Sequence, residues 1–274
     1  MSAVPRSLVW ATHIDVLGLD GVVERRDDHL VIRSPSSPSF YWGNLLLFDA
    51  PPGPGDGARW ESSFADAFAG DARVRHVTLA WDGPDAPLGS AQAEFVPRGY
   101  DLDSSVGLVA RPADLRQHPR ANQEVTVRAL DPDADEDLWA QVVEVQVAGR
   151  TDNFEEAPYR EFAVDQQAGQ LQHFRAGRGA WYVALDGDAV VGSCGVIVTD
   201  GRGRFRAVDT LATHRRRGVS SRLVVDAAQH AAEHYGADRF VIVADEHYHA
   251  LGLYESLGFA RVERVFGVCR PPQA

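Results

Sequence analysis

The amino-acid sequence predicts an α+β protein built as two halves. Segments with strand-like and helix-like patterns alternate along all 274 residues, a length that suits two domains. Residues 111–123 are polar and include two prolines, which indicates a linker between the halves. We therefore expect one domain at residues 1–110 and a second at residues 124–274.

A faint internal repeat supports this division. Gly99-Tyr100 is followed by Gly107, as Gly258-Phe259 is followed by Gly267. The repeat indicates a duplication in which the first half is a truncated and diverged copy of the second half.

The second half has the clearer pattern and predicts the element order β-α-α-β-β-β-α-β-α-β. Alternating or continuous apolar runs predict strands at residues 125–128, 181–185, 189–198, 205–210, 240–244 and 262–269. Amphipathic patterns predict helices at residues 138–147, 159–174, 223–235 and 248–257. Gly236 and Gly258 suit the ends of the last two helices.

The first half is less regular. It predicts strands at residues 29–33, 41–48, 74–81 and 106–109, and a helix at residues 58–69.

Composition excludes several classes of function. The net charge of −12 argues against nucleic acid and anionic membranes as main partners, and mildly favours an amine substrate. No run of about 20 apolar residues and no signal peptide is visible, so we expect a cytoplasmic protein. The two cysteines, Cys194 and Cys269, lie in apolar runs and are interpreted as reduced core residues.

The most informative segment joins a predicted strand to an Ala-rich helix through an arginine-rich turn. Free N–H groups at a helix N-terminus bind anions, and arginine adds charge and forked donors. The expected pyrophosphate-binding residues are Arg215, Arg216, Arg217, Gly218, Val219, Ser220 and Ser221. The spacing matches neither a P-loop nor a Rossmann turn.

Arg215-x-x-Gly218-x-Ser220 resembles the [QR]-x-x-G-x-[GA] signature of the GCN5-related N-acetyltransferases (GNAT), which binds the pyrophosphate of acetyl-coenzyme A. Leu253-Tyr254-Glu255-Ser256-Leu257-Gly258-Phe259 resembles a second mark of the family. The resemblance covers residues 125–270, and Ser220 stands where the family has Gly or Ala. It implies two GNAT-like halves with mixed, mostly antiparallel sheets flanked by helices, and transfer of acetyl from acetyl-coenzyme A to a primary amine.

The resemblance also implies roles for single residues. Val208, Asp209 and Thr210 align with the family's bulged strand end, which holds the thioester carbonyl and the pantetheine arm. Tyr254 stands at the position of the general acid that protonates the leaving thiolate. His247 stands where the family often has an Asn that binds the pantetheine.

The general base is left open by the sequence. Many relatives carry a Glu shortly before the strand end, where this chain reads Gly203-Arg204-Phe205-Arg206. Asp209, Asp245 or a chain of water molecules are the alternatives. The missing glutamate also keeps a non-catalytic acyl-coenzyme A binding or sensing protein as the alternative function.

The first half lacks a comparable anion site. Its corresponding segment, residues 50–57, carries three prolines, which have no N–H donor, and an aspartate of the wrong charge. We expect no coenzyme there. The half would instead cover the catalytic domain, shape the substrate cleft or form a homodimer.

A metal site is the weakest alternative. His230, Glu233 and His234 match the H-x-x-E-H pattern of some metalloproteases. No third ligand is recognisable, so the pattern is interpreted as a solvated helix face and no metal is expected. His247 and His249, near the next helix start, are interpreted in the same way.

Overall fold

The computed structural model describes residues 4–83, 85–151, 154–247 and 250–272. The chain divides into two compact units. Unit 1 contains the chain up to Gly107, the segment Val243–His247 and the chain from Val262 onward; unit 2 contains Leu108–Ile242 and a second stretch that ends at Arg261. Most of the last strand therefore belongs with the N-terminal elements. The domains predicted at 1–110 and 124–274 stay a prediction.

Seven α-helices and eleven strands lie in the described residues. The helices are α1 (Leu8–Asp15), α2 (Asp56–Phe68), α3 (Ala91–Phe95), α4 (Glu136–Gly149), α5 (Glu156–Arg175), α6 (Val219–Tyr235) and α7 (Ala250–Ser256). The strands are β1 (Val22–Arg25), β2 (His29–Arg33), β3 (Leu45–Phe48), β4 (Val77–Trp81), β5 (Asp101–Ala110), β6 (Thr126–Ala129), β7 (Gly179–Asp186), β8 (Ala189–Thr199), β9 (Arg202–Thr210), β10 (Arg239–Asp245) and β11 (Ala260–Arg270). From β6 to β11 the elements follow the order that the sequence predicts.

The sheet of unit 2 is mostly antiparallel. Strands β6, β7, β8 and β9 pair antiparallel in that order, and β10 pairs parallel to β9. The parallel pair requires a crossover connection, which α6 provides. This confirms the predicted fold class for the second half.

Helices cover both faces of this sheet. Neighbouring residues of a strand point to opposite faces. On β7, the Trp181 ring lies 6.2 Å from the Trp139 ring of α4, whereas the Tyr182 hydroxyl lies 3.1 Å from Nδ1 of His230 on α6. Helices α4 and α6 therefore pack on opposite faces, and α5 lies with α4, since its Phe174 also contacts Trp181.

Unit 1 contains a sheet of the same kind. Strands β1, β2 and β3 pair antiparallel, β4 pairs parallel to β3 through the crossover helix α2, and β11 pairs antiparallel to β4. The strands of β3-α2-β4 in unit 1 thus form a parallel pair joined by a helix, as do the strands of β9-α6-β10 in unit 2. The Trp60 ring of α2 stacks on Phe48 of β3 with the centroids 3.7 Å apart, which anchors the helix to the sheet.

The structure corrects several expectations for the first half. The strand predicted at residues 41–48 is a 3-10 turn at Tyr41–Gly43 followed by β3. The sequence pattern did not predict α1 or β1, and β5 is longer than the strand predicted at residues 106–109. Helix α1 begins after Ser7, whose side chain accepts a hydrogen bond from the Trp10 N–H.

The described helices include none that is long and apolar enough to cross a membrane. Cys194 is buried, in agreement with a core role, whereas Cys269 is only partly buried.

A buried carboxylate fixes α1 within unit 1. Glu263 of β11 accepts hydrogen bonds from the Ser7 hydroxyl at 2.9 Å, from the Leu8 N–H at 3.3 Å and from the Val9 N–H. These backbone donors belong to the first turn of the helix, where no intrahelical acceptor exists and negative charge is favourable. The last strand therefore caps the first helix.

Replacing Glu263 by Gln is expected to destabilise unit 1. The substitution removes the charge and turns one acceptor into a donor that faces other donors, at a cost of roughly 1–3 kcal/mol. Thermal denaturation measures the effect. Asp66→Asn, which neutralises an exposed carboxylate of α2, is the control and is expected to leave the melting temperature unchanged. Equal melting temperatures for Glu263→Gln and the native protein would contradict the capping role.

Candidate functional site

The strand β9 contains a β-bulge near its end. On β8, Ser193 pairs with Asp209 and Gly195 pairs with Arg206, so β9 has one residue more than β8 between these pairs. Ala207 takes up the extra residue with a φ of 43°, a left-handed conformation that is uncommon for a non-glycine residue. The bulge falls directly before Val208, Asp209 and Thr210, the positions that the sequence singled out.

The pairing between β9 and β10 ends before the bulge. The two strands pair only from Arg202 with Arg239 to Arg204 with Val241. Within the described part of unit 2, residues 205–210 therefore have a strand partner on the β8 side alone. The second edge of β9 is open to an extended ligand that can bond to the backbone as a strand does.

Asp209 faces the helices α4 and α5. A Cβ atom placed on Gly149, the last residue of α4, would lie 3.2 Å from Oδ1 of Asp209, so the carboxylate lies close against the end of this helix. Burial raises the pKa of the Tyr159 hydroxyl on α5, and the nearby charge of Asp209 raises it further. The orientation of Asp209, which the sequence did not reveal, is thus toward this covered face.

The carboxyl of Asp209 is basic for an aspartate. Loss of water raises its pKa to about 6, although the charge of Arg215 acts in the opposite direction. No donor of the described chain hydrogen-bonds to this carboxylate. A carboxylate in this state is ionised at neutral pH and still able to accept a proton.

The turn between β9 and α6 presents a run of free donors. Within the part of the chain that the structure describes, the N–H groups from Arg216 to Ser221 donate to no protein acceptor. Arg216 and Gly218 have φ angles of 61° and 77°, so the turn contains two left-handed residues. Arg215, Arg216 and Arg217 are exposed and add positive charge to this turn, and Arg217 pairs with Glu124 at 3.3 Å.

Ser220 fits the turn through a hydrogen bond. Its hydroxyl lies 2.7 Å from the hydroxyl of Thr210, which joins the first turn of α6 to the end of β9. Arg215 adds a second link, because its Nε donates to the Thr210 carbonyl at 3.1 Å. Helix α6 itself begins at Val219, four residues before the predicted start.

The predicted linker lies against both sequence marks. The Asn122 N–H donates to the Gly218 carbonyl at 3.1 Å, and a Cβ on Gly218 would lie 1.9 Å from the Arg120 carbonyl oxygen. A Cβ on Gly258 would lie 2.0 Å from the carbonyl oxygen of Asp114. Both glycines are thus required by the close approach of the segment 111–123, in addition to their positive φ angles.

Tyr254 lies on α7 and is connected to β9 through aromatic contacts. Its ring is nearly buried and packs edge-to-face on Phe259, with the centroids 6.3 Å apart. Phe259 in turn packs edge-to-face on Phe205, the first residue of β9 beyond its pairing with β10. The helix end that carries Tyr254 is therefore fixed beside the opening of the strand pair.

The remaining predicted residues are not brought into this group. His247 belongs to unit 1, where its N–H donates to Asp245 at 2.7 Å, so its binding role stays a prediction. His249 and Tyr248 lie outside the described residues. The His230 and His234 rings stack 3.9 Å apart, and His230 pairs with the Tyr182 hydroxyl.

The corresponding helix start in unit 1 is filled by carboxylates. Glu94 of α3 accepts from the N–H groups of Gly55 and Gly57 at 2.7 and 3.2 Å, and Asp56 accepts from the Gly53 N–H at 2.8 Å. The N–H groups of Gly55 and Gly57 at the start of α2 are thus occupied within the protein. Sequence reasoning missed Glu94, because its partners lie about 40 residues away in the chain.

Comparison with known proteins agrees with this geometry. Residues 139–259 match the model of the Acetyltransferase (GNAT) family. No curated protein matches the chain. Residues 139–259 form a domain of the GNAT family.

Solved structures share the fold over nearly the whole chain. A conserved protein of unknown function from Staphylococcus epidermidis ATCC 12228 has a TM-score of 0.71 at 14% identity, over 93% of this chain and 96% of that one. A GCN5-related N-acetyltransferase from Kribbella flavida has a TM-score of 0.62 at 17% identity, over 92% and 90%. A tandem GNAT protein from the clavulanic acid biosynthesis pathway has a TM-score of 0.55 at 16% identity, over 99% and 91%.

Gly218→Ala is expected to destabilise unit 2. The new Cβ would strain a left-handed residue and collide with the Arg120 carbonyl, at a cost of at least about 1–3 kcal/mol. Gly252→Ala in α7, where no atom lies within 4 Å and φ is not positive, is the matched control and is expected to be neutral or stabilising. Thermal denaturation distinguishes the two variants. Similar melting temperatures would contradict the packing of the segment 111–123 on Gly218.

Proposed function

We propose that the chain is an N-acetyltransferase that moves the acetyl group of acetyl-coenzyme A to a primary amine. The observation that carries the proposal is the run of free N–H groups at residues 216–221, beside a strand edge that is also free. A pyrophosphate at the start of α6 would accept from these groups and be neutralised by Arg216 and Arg217. The pantetheine arm would bond along the open edge of β9.

The free N–H groups suit acetyl-coenzyme A, because the anion site at the start of α6 directly follows the strand edge to which an extended chain can bond. Acetyl-coenzyme A supplies the acetyl group as a thioester. In the bulge, the backbone around Val208 would orient the carbonyl of that group and stabilise the negative charge that develops on its oxygen. Unit 1 does not compete for the coenzyme, because Glu94 and Asp56 fill the start of α2.

Asp209 is proposed as the general base. During transfer a C–N bond forms, the C–S bond breaks, one proton leaves the nitrogen and one proton reaches the sulfur. The acidity of the nitrogen rises as the C–N bond forms, and a carboxylate with a pKa of about 6 is then a sufficient acceptor. Tyr254 is proposed to supply the proton to the sulfur. The desolvated Asp209 favours an enzyme over a non-catalytic binding protein.

Asp209→Asn is expected to lower kcat/KM by about 10²–10⁴-fold while the thermal shift with acetyl-coenzyme A is kept. In the native protein, kcat/KM is expected to fall as the pH drops through about 6, since protonated Asp209 cannot accept a proton. The variant should lack this inflection. A panel of primary amines and a thiol-release assay measure both effects, with Asp188→Asn, an exposed turn residue, as the control.

Asp209→Asn is also expected to stabilise the protein. The folded-state pKa of Asp209 lies above the ordinary value, so the proton binds more tightly to the folded state. Stability therefore falls as the pH rises from about 4 to about 6, and stays lower above that range. Asn carries no charge, so the variant is expected to melt at a higher temperature than the native protein at pH 7.5. Lower activity together with lower stability would instead indicate a folding defect and would contradict the proposed base.

A further inference from the structure

The segment 111–123 is attached by hydrogen bonds to the first turns of α6. The Asn122 N–H donates to the Gly218 carbonyl at 3.1 Å, and Nδ2 of Asn122 donates to the Arg217 carbonyl at 3.0 Å. Farther along the helix, Nε2 of Gln117 donates to Oδ1 of Asp226 at 2.7 Å. The segment therefore borders the turn that carries the free N–H groups.

A tight turn places Arg120 at this border. The Ala121 N–H donates to the His118 carbonyl at 2.8 Å, and Pro119 restricts the backbone of the turn between them. The turn brings the Arg120 carbonyl oxygen so close to Gly218 that a Cβ atom on this glycine would lie 1.9 Å from it. The backbone of Arg120 is thus fixed beside the proposed anion site, while its long side chain is exposed.

Two carboxylates near the start of α6 have arginine partners, whereas Arg120 has no acidic partner. Glu124 pairs with Arg217 at 3.3 Å, and Asp226 pairs with Arg222. Among the residues that the structure describes, none accepts a hydrogen bond from the Arg120 guanidinium or forms an ion pair with it. The positive charge of Arg120 is therefore available to a ligand.

Coenzyme A carries a third phosphate besides its pyrophosphate. This group is a monoester on the ribose, and a phosphate monoester carries close to two negative charges at neutral pH. With the pyrophosphate at the N–H groups of residues 216–221 and the pantetheine arm along β9, the nucleotide end would extend beyond the turn. An exposed arginine beside the turn suits a phosphate there, because its planar fork of donors matches the phosphate oxygens.

We infer that Arg120 binds the ribose 3′-phosphate of the coenzyme, so that the segment 111–123 forms part of the coenzyme site. This inference rests on the proposed binding of acetyl-coenzyme A at the start of α6. Arg120 would determine the selectivity for coenzymes that carry this phosphate, and it takes no part in the transfer step itself.

Two ligands that differ only in this phosphate, coenzyme A and 3′-dephospho-coenzyme A, test the inference. Isothermal titration calorimetry on the full chain measures both dissociation constants. The native protein is expected to bind coenzyme A about tenfold more tightly than the dephosphorylated ligand. Arg120→Gln should abolish this preference by weakening the binding of coenzyme A alone, and Arg120→Lys, which keeps the charge, should retain part of it.

Arg111→Gln is the matched control. Arg111 is an exposed arginine of the same segment, but it pairs with Asp114 at 2.9 Å. Its replacement should leave the ratio of the two dissociation constants unchanged. Higher ionic strength should reduce the preference of the native protein, because salt screens a contact between exposed charges. Thermal denaturation reports whether each variant is folded.

The outcomes separate this inference from the proposed function. Equal affinities of the native protein for the two ligands, a preference that survives Arg120→Gln, or equal weakening of both ligands by this substitution would overturn the inference and leave acetyl transfer standing. A preference that depends on Arg120, without turnover of any primary amine, would support the inference and reject acetyl transfer. Binding of neither ligand to the native protein would reject both.

Discussion

The β-bulge at Ala207 is the local feature on which the arrangement of the site depends. It adds one residue to β9, so Arg206 and Asp209 point to the same face although they are three residues apart. It also follows the point at which β9 and β10 cease to pair. One irregularity thus opens a strand edge, directs two charged side chains toward α4 and α5, and leads the chain into the turn before α6.

The two crossover helices show how one backbone arrangement can differ in chemistry. In unit 2 the start of α6 has free N–H groups and three arginines, whereas in unit 1 the start of α2 is satisfied by Glu94 and Asp56. A helix N-terminus attracts an anion in either case. Unit 1 supplies this negative charge from Glu94 and Asp56. In unit 2, we propose, the anion belongs to a ligand. The difference supports the proposal that the coenzyme binds to unit 2.

Much of the fold and of the candidate site could be predicted from the sequence, because the signals are local. Apolar periodicity gave the order of elements in the second half, and the arginine-rich turn pointed to an anion site at α6. The two GNAT marks predicted roles for Val208, Gly218 and Tyr254. These features depend on residues that are close together in the chain.

The rest depends on contacts between distant residues. Nothing near Ala207 indicates a left-handed residue, so neither the direction of Asp209 nor its high pKa could be derived. The contact between the Arg120 carbonyl and Gly218 joins residues about 100 apart, and the polar composition of residues 111–123 suggested only a linker. Helix α1 was missed although Ser7 caps it locally, and its second cap comes from Glu263, at the other end of the chain.

We propose that the N–H groups of residues 216–221 bind the pyrophosphate of acetyl-coenzyme A. Amide hydrogen exchange followed by mass spectrometry, with and without this ligand, tests it most directly. We expect slower exchange at residues 216–221 with acetyl-coenzyme A, no such change with pantetheine, which lacks the pyrophosphate, and no change at Gly55 and Gly57. Unchanged exchange at residues 216–221 under saturating ligand, or slower exchange at the start of α2 instead, would contradict it.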